Sequence, residues 1–173
     1  MTDLLEILKY TLPALIVFTT AFLMFRMNLQ NEEKRRRFEM AREKKESILP
    51  LRLQAYERLI LFLERIAPEA LVLRVGRQDM NVGQTLNELV STIRTEFEHN
   101  LVQQTYISSQ SWEIIKNAKN NTIKLLTESA KDFKPSDNGM LLSRQVLEDA
   151  HEEKDSPVAP AIEYLKREVR ELF

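Results

Sequence analysis

Cysteine is absent from the 173 residues. Disulfides, thiolate metal sites and cysteine nucleophiles are therefore excluded, and the redox compartment stays open. Glycine is scarce, with 3 residues, and histidine scarcer, with 2. "VGRQDMNVG", the one glycine-bounded loop, has neither the spacing nor the Lys-Ser/Thr ending of a phosphate cradle. No G-x-S-x-G, H-E-x-x-H or Asp-rich calcium loop occurs. The net charge is −1 although 29% of residues are charged, so nothing favours nucleic acid. No small-molecule substrate is evident, and alternating β-branched runs are missing. Leu, Glu, Lys, Arg and Ala dominate, which predicts helix throughout.

The longest uncharged run is "YTLPALIVFTTAFLMF", Tyr10 to Phe25. At about 1.5 Å per residue its 16 residues cover roughly 24 Å. Leu4, Leu5, Ile7 and Leu8 extend the apolar face, and Lys9 and Arg26 can snorkel outward. Asp3 and Glu6 precede the run while Arg26, Lys34, Arg35, Arg36, Arg37, Arg42, Lys44 and Lys45 follow it. That asymmetry argues against a cleaved leader. It predicts a single-pass inner-membrane anchor over 1–26, N-terminus outside and the remainder cytoplasmic. The run carries no Asp, Glu, Lys or Arg, so it is not a proton path. Thr19 and Thr20 can bond either a partner helix or their own preceding turn.

A charged linker over 27–48 follows. Asn31 to Glu46 holds seven basic and five acidic residues, with i,i+4 pairs at Glu32–Arg36, Glu33–Arg37 and Arg42–Glu46. Lys34, Arg35, Arg36 and Arg37 are candidates for lipid headgroups, against the simpler reading of a solvated helical spacer.

The remainder predicts a four- to five-helix antiparallel bundle over 49–156 and an amphipathic C-terminal helix over 157–173. The fold class is thus all-α. Helix A starts at Pro50, a first-turn proline, and ends where "AP" follows Ile66. Its stripe is Leu53, Tyr56, Ile60 and Leu63. Leu61 and Phe62 fall off that stripe, so either the helix is central or these two meet a partner. Helix B spans about Gln84 to Tyr106, helix C runs to Phe133 and helix D covers Met140 to Lys154. Helix C has a seam of Ile115, Ala118, Thr122, Leu126, Ser129 and Phe133, with Asn117, Asn120, Lys124 and Lys131 opposite. "KPSDNG" reads as a turn cluster.

Both histidines close a Glu-x-x-His pair: Glu96 with His99, and Glu148 with His151. Two such pairs on separate helices are what di-iron carboxylate bundles use, provided that every ligand projects inward. Periodicity says otherwise. At 100° per residue His99 lies roughly 150° from the apolar stripe of helix B (Leu86, Leu89, Val90, Ile93, Phe97, Leu101) and Glu96 about 90°. On helix D, with Leu142, Val146 and Ala150 inward, His151 lies about 120° away and Glu148 points outward. Neither metal nor cofactor is expected, and no enzymatic chemistry.

"EFEHNLVQQTYISSQSWE" is dense in groups that stack or hydrogen-bond: His99, Asn100, Gln103, Gln104, Tyr106 and Trp112. These cap helix ends or form a recognition surface. The last helix spaces Val158, Ile162, Leu165, Val169 and Leu172 by four and three, a short heptad seam. Packing on its own bundle is the ordinary outcome; a partner or a second copy, through Ile162, Leu165 and Val169, is the other.

The "FEHNLVQQTYIS…SW" stretch, the N-terminal run and "RLQAYERLILFLERIAPEALVLRV" together resemble a family of single-span membrane proteins of Bacteroidetes whose function is unknown. The resemblance covers nearly the whole chain and implies its fold and bacterial location, but no activity and no binding residue. The expected role is a membrane-anchored, non-enzymatic interaction or scaffold protein that binds a protein partner or itself. The alternatives are a tethered di-metal enzyme using the Glu-x-x-His pairs, and an accessory subunit of a membrane complex held through its span.

Overall fold

The computed structural model describes residues 2–76, 79–152 and 156–172. Side chains are described from residue 15 onward except at 28–31, 34, 37–38, 41–46 and 152. Contacts divide the chain into two units, Met1–Leu49 and Pro50–Phe173. Every regular element among the described residues is helical: α1 (Thr2–Ile66), α2 (Pro68–Val75), α3 (Val82–His99), a 3₁₀ helix (Leu101–Thr105), α4 (Ser109–Ser129), α5 (Gly139–Glu152) and α6 (Ala159–Arg170).

Residues of α1 up to Leu49 make the first unit. Between Leu15 and Met27 the apolar side chains stand exposed, Thr19 bonds the Leu15 carbonyl at 2.7 Å and Thr20 that of Ile16 at 2.9 Å. Both threonines are satisfied by their own preceding turn. Among the described residues no helix is long and apolar enough to cross a membrane. This overturns the single-pass inner-membrane anchor, with its orientation and location. The uncharged run from Tyr10 to Phe25 covers roughly 24 Å at about 1.5 Å per residue, short of the roughly 30 Å hydrocarbon core, and its side chains are described from Leu15 onward. The residues enlisted to lengthen the run, Leu4 to Lys9, lie outside the described side chains.

The headgroup reading leaned on that anchor. Arg35 and Arg36 are exposed, and Arg35 pairs with Glu39 at 2.9 Å, one turn along the same helix. The side chains of Lys34, Arg37, Arg42 and Glu46 lie outside the described residues.

Pro50 does not start a helix. It lies inside α1, at the division between the units, where its missing donor leaves one carbonyl of the preceding turn without an intrahelical bond. The break comes at Ala67, held extended (φ −54°, ψ 134°) because the Pro68 ring clashes with a helical residue before it.

In the second unit α1 buries one face and leaves Gln54, Glu57, Arg58, Leu61, Glu64 and Arg65 exposed on the other. Ala55, Tyr56, Leu59, Phe62, Leu63 and Ile66 are buried, a stripe that keeps Tyr56 and Leu63 of the expected one but is turned about one position earlier, with Leu59 in place of Ile60. Phe62 belongs to the core, and Leu61, 56% exposed, is left outside. The seam of α4 lies where its periodicity puts it: Ile115, Ala118, Thr122, Leu126 and Ser129 are buried, while Asn117, Asn120, Lys124 and Lys131 are exposed. On α5, Leu142, Val146 and Ala150 are buried as expected. On α6, Ala161, Ile162 and Leu165 are buried against α4, with Val169 and Leu172 half-covered. The C-terminal helix thus packs on its own bundle.

The start of α3 is set by a capping box. Asn81 Oδ1 accepts from the Gln84 amide at 2.9 Å, and Gln84 Oε1 accepts from the Asn81 amide at 3.1 Å. The "KPSDNG" turn lies directly against this start. Val82 N–H bonds the Asp137 carbonyl at 2.8 Å, Gly83 that of Pro135 at 3.0 Å, and Gly139 that of Met80 at 2.9 Å. Two loops 50-odd residues apart thus satisfy each other's backbone and lock the starts of α3 and α5 together.

Candidate functional site

The polar stretch around "EFEH" forms the corner between α3 and α4. It is built from both ends inward. Helix α3 stops at His99, seven residues before the expected Tyr106, because Asn100 leaves the helical region (φ −105°, ψ 2°). Its side-chain amide donates to the Glu96 carbonyl at 2.8 Å and satisfies one acceptor of the last turn. The chain then tightens into the 3₁₀ helix. On the far side Ser108 caps α4 by accepting from the Ser111 amide at 3.1 Å. The Tyr106 carbonyl accepts from Arg52 Nε of α1 at 3.1 Å. Both flanks of the corner are therefore fixed.

Beneath the corner lies an aromatic column. Phe97 stacks on Trp112, centroids 5.2 Å apart, and meets Phe62 at 5.9 Å. Lys119 Nζ stands 4.3 Å from the Phe97 ring centroid, at the electron-rich face. Trp112 is half-buried, with its ring stacked on Phe97 beneath the corner.

Glu96 is also structural. Its carboxylate meets Arg65 of α1 at 2.7 Å and Arg74 of α2 at 3.6 Å, and Arg74 bonds the Arg65 carbonyl at 3.4 Å. Three helices are tied by one acid that is 18% exposed. His99 is exposed, Glu148 pairs with Arg144 at 2.8 Å, and His151 is exposed. Among the described residues no group of three His, Cys, Asp or Glu stands close enough to hold a metal. The four residues of the Glu-x-x-His pairs are not brought together.

Of the expected contact residues, His99 and Gln104 are exposed, and Asn100, Gln103 and Tyr106 half-buried. Leu61 is exposed elsewhere on α1; Phe62, Ile162 and Leu165 lie in the core and Val169 at its edge. Leu101 and Val102 were missed. Leu101, expected to continue the stripe of helix B, is 38% exposed, and Val102 is 68% exposed. No residue of the 3₁₀ helix is buried. The signal was there: two adjacent apolar residues inside "HNLVQQT" directly after a helix-stopping asparagine.

A second polar cluster joins α1, α4 and α6. Ser111, fully buried, donates to the Glu168 carboxylate. The Tyr56 hydroxyl, also fully buried, lacks a hydrogen-bond partner among the described residues. Arg52 and Glu168 reach toward it, but neither meets it with hydrogen-bond geometry. Burial, helped by the Glu168 charge, raises the Tyr56 pKa above its usual value, with Arg52 pulling the other way.

No curated protein and no solved structure matches this chain. A family model matches residues 2–172, the helices of both units together. The chain belongs to DUF7935, a family of unknown function.

Proposed function

We propose that this chain is a non-enzymatic interaction module whose bundle presents the α3–α4 corner to a protein partner. One observation carries the reading. The 3₁₀ helix Leu101–Thr105 buries none of its residues, yet holds Val102 and Leu101 out of the core beside His99 and Gln104. An element that adds nothing to the core, but is anchored on both sides, has the form of a prebuilt contact surface. Apolar side chains at its centre with polar ones around them match the anatomy of a small interface.

The test is affinity capture with the intact chain and with Leu101→Asp/Val102→Asp. The reading expects a stoichiometric protein partner held by the wild type and lost from the double variant, while its helical content is unchanged. A partner held equally by both would remove the corner from the interface. Absence of any partner would remove the reading itself.

A further inference from the structure

We propose that α6 is an exchangeable latch: its seat on α4 and α1 accepts the α6 of a second copy, giving a helix-swapped dimer. The inference stands apart from the corner described above.

Helix α6 has 12 residues, too few to hold helix alone in water, so its order derives from the seat. That seat is complementary to one pattern. Val158, Ala161, Ile162 and Leu165 are buried, Val169 and Leu172 cover the edge, and Glu168 accepts from Ser111 in the first turn of α4. An acid at a helix N-terminus is favoured by the α4 dipole, which fixes the register of the docked helix. The occupant is thereby specified, since a second copy carries the same side chains at the same spacing.

The attachment is also incomplete. Val158, the N-cap of α6, makes no side-chain cap bond, and the first turn holds no acid. Beside Glu168 the Tyr56 hydroxyl is buried without a partner among the described residues. Among the described residues the helix is therefore held by its apolar face and one charged contact, and it can leave as a unit. Two chains that trade α6 recover every one of these contacts and close a symmetric pair.

The absence of cysteine makes the test clean. Full-length Ser111→Cys and Glu168→Cys chains are mixed and treated with a short bismaleimide. Exchange predicts a covalent heterodimer in the mixture and none from either variant alone. The double variant should bridge within one chain, and if it does while the mixture stays monomeric, the latch does not exchange.

A second measurement needs no cysteine. A labelled peptide of residues 156–173 should bind the intact chain saturably. It should bind the full-length Leu165→Ala chain more tightly by on the order of 30-fold or more, because a weakened resident helix competes less for its seat. Equal affinity for the two chains, or no binding to either, would overturn the proposal.

Discussion

The Arg65 guanidinium meets the Glu96 carboxylate at 2.7 Å, joining the last turn of α1 to the last turn of α3. Arg74, from α2, stands 3.6 Å from the same oxygen. The most suggestive acid in the chain is thus occupied by two cations from two other helices. A carboxylate so engaged is a poor metal ligand, since binding would strip it from both.

The first prediction follows. Glu96→Gln costs about 1 kcal/mol in urea unfolding, at the upper end for partly exposed ion pairs, and the loss shrinks in high salt. His99→Ala, whose side chain is exposed, changes stability by less than about 0.5 kcal/mol. Iron or manganese leaves the Tm of the intact chain where it was. A metal-dependent rise in Tm, abolished in both variants, would restore the di-metal reading.

Gly139 carries the second prediction. A Cβ there would stand 2.8 Å from the Met80 carbonyl and would collide with Thr85 Oγ1. The collision arises because the 79–83 and 134–139 segments bond backbone to backbone with no room between them. Gly139→Ala destabilises by about 1–3 kcal/mol, the range for overpacking. Thr85→Ala in the same chain relieves the hydroxyl clash but not the carbonyl one, so the double variant recovers part of the loss. Full additivity of the two would mean that the segments are not in contact.

How far the sequence carried these features depends on what each is made of. The α4 seam was legible because Ile115, Ala118, Thr122 and Leu126 keep helical spacing with lysine and asparagine opposite. Helix α1 was not, because Leu59 to Leu63 are all apolar and many registers fit; burial alone separates Phe62 from Leu61. At the end of α3, Leu101 continued the i+4 spacing and masked the stop that the Asn100 cap imposes. The Asn81–Gln84 capping box was written in the sequence as N-x-x-Q and went unread. The pairing of the 79–83 and 134–139 loops is made of main-chain hydrogen bonds, which leave no side-chain pattern. The periodicity argument that turned the Glu-x-x-His pairs outward described His99, Glu148 and His151 well, but could not show that Glu96 has two arginine partners.

Tyr56 gives a third prediction, with a sign. Its pKa is raised in the folded chain, chiefly by burial and next by the Glu168 charge. Folding therefore favours the neutral phenol. The contribution is complete below the usual value of 10.0 and is lost as pH climbs through the raised value. Stability should fall on the alkaline side of pH 10 in the wild type, and this part of the fall should vanish in Tyr56→Phe. Near pH 7 that variant is neutral or slightly more stable, because the hydroxyl it removes is buried without a partner among the described residues. A clear loss at pH 7 would show that the hydroxyl is hydrogen-bonded after all.

The aromatic column supports the corner that we assign to partner binding, and its parts can be ranked. Phe97 touches Trp112 and Phe62, at 5.2 and 5.9 Å, and takes Lys119 on its face. Phe97→Ala removes all three contacts and should cost about 3 kcal/mol. Lys119→Gln removes only the cation and should cost about 0.5–1 kcal/mol. The chain has one tryptophan, so its emission reports on this column alone. Phe97→Ala should shift Trp112 emission to the red under folding conditions, while Lys119→Gln leaves the wavelength in place. If the proposal for the corner is right, Phe97→Ala also weakens partner capture without touching Leu101 or Val102, because the platform beneath them has loosened. A folded Phe97→Ala chain with unchanged emission would place Trp112 off that ring and leave the corner resting on the Asn100 and Ser108 caps.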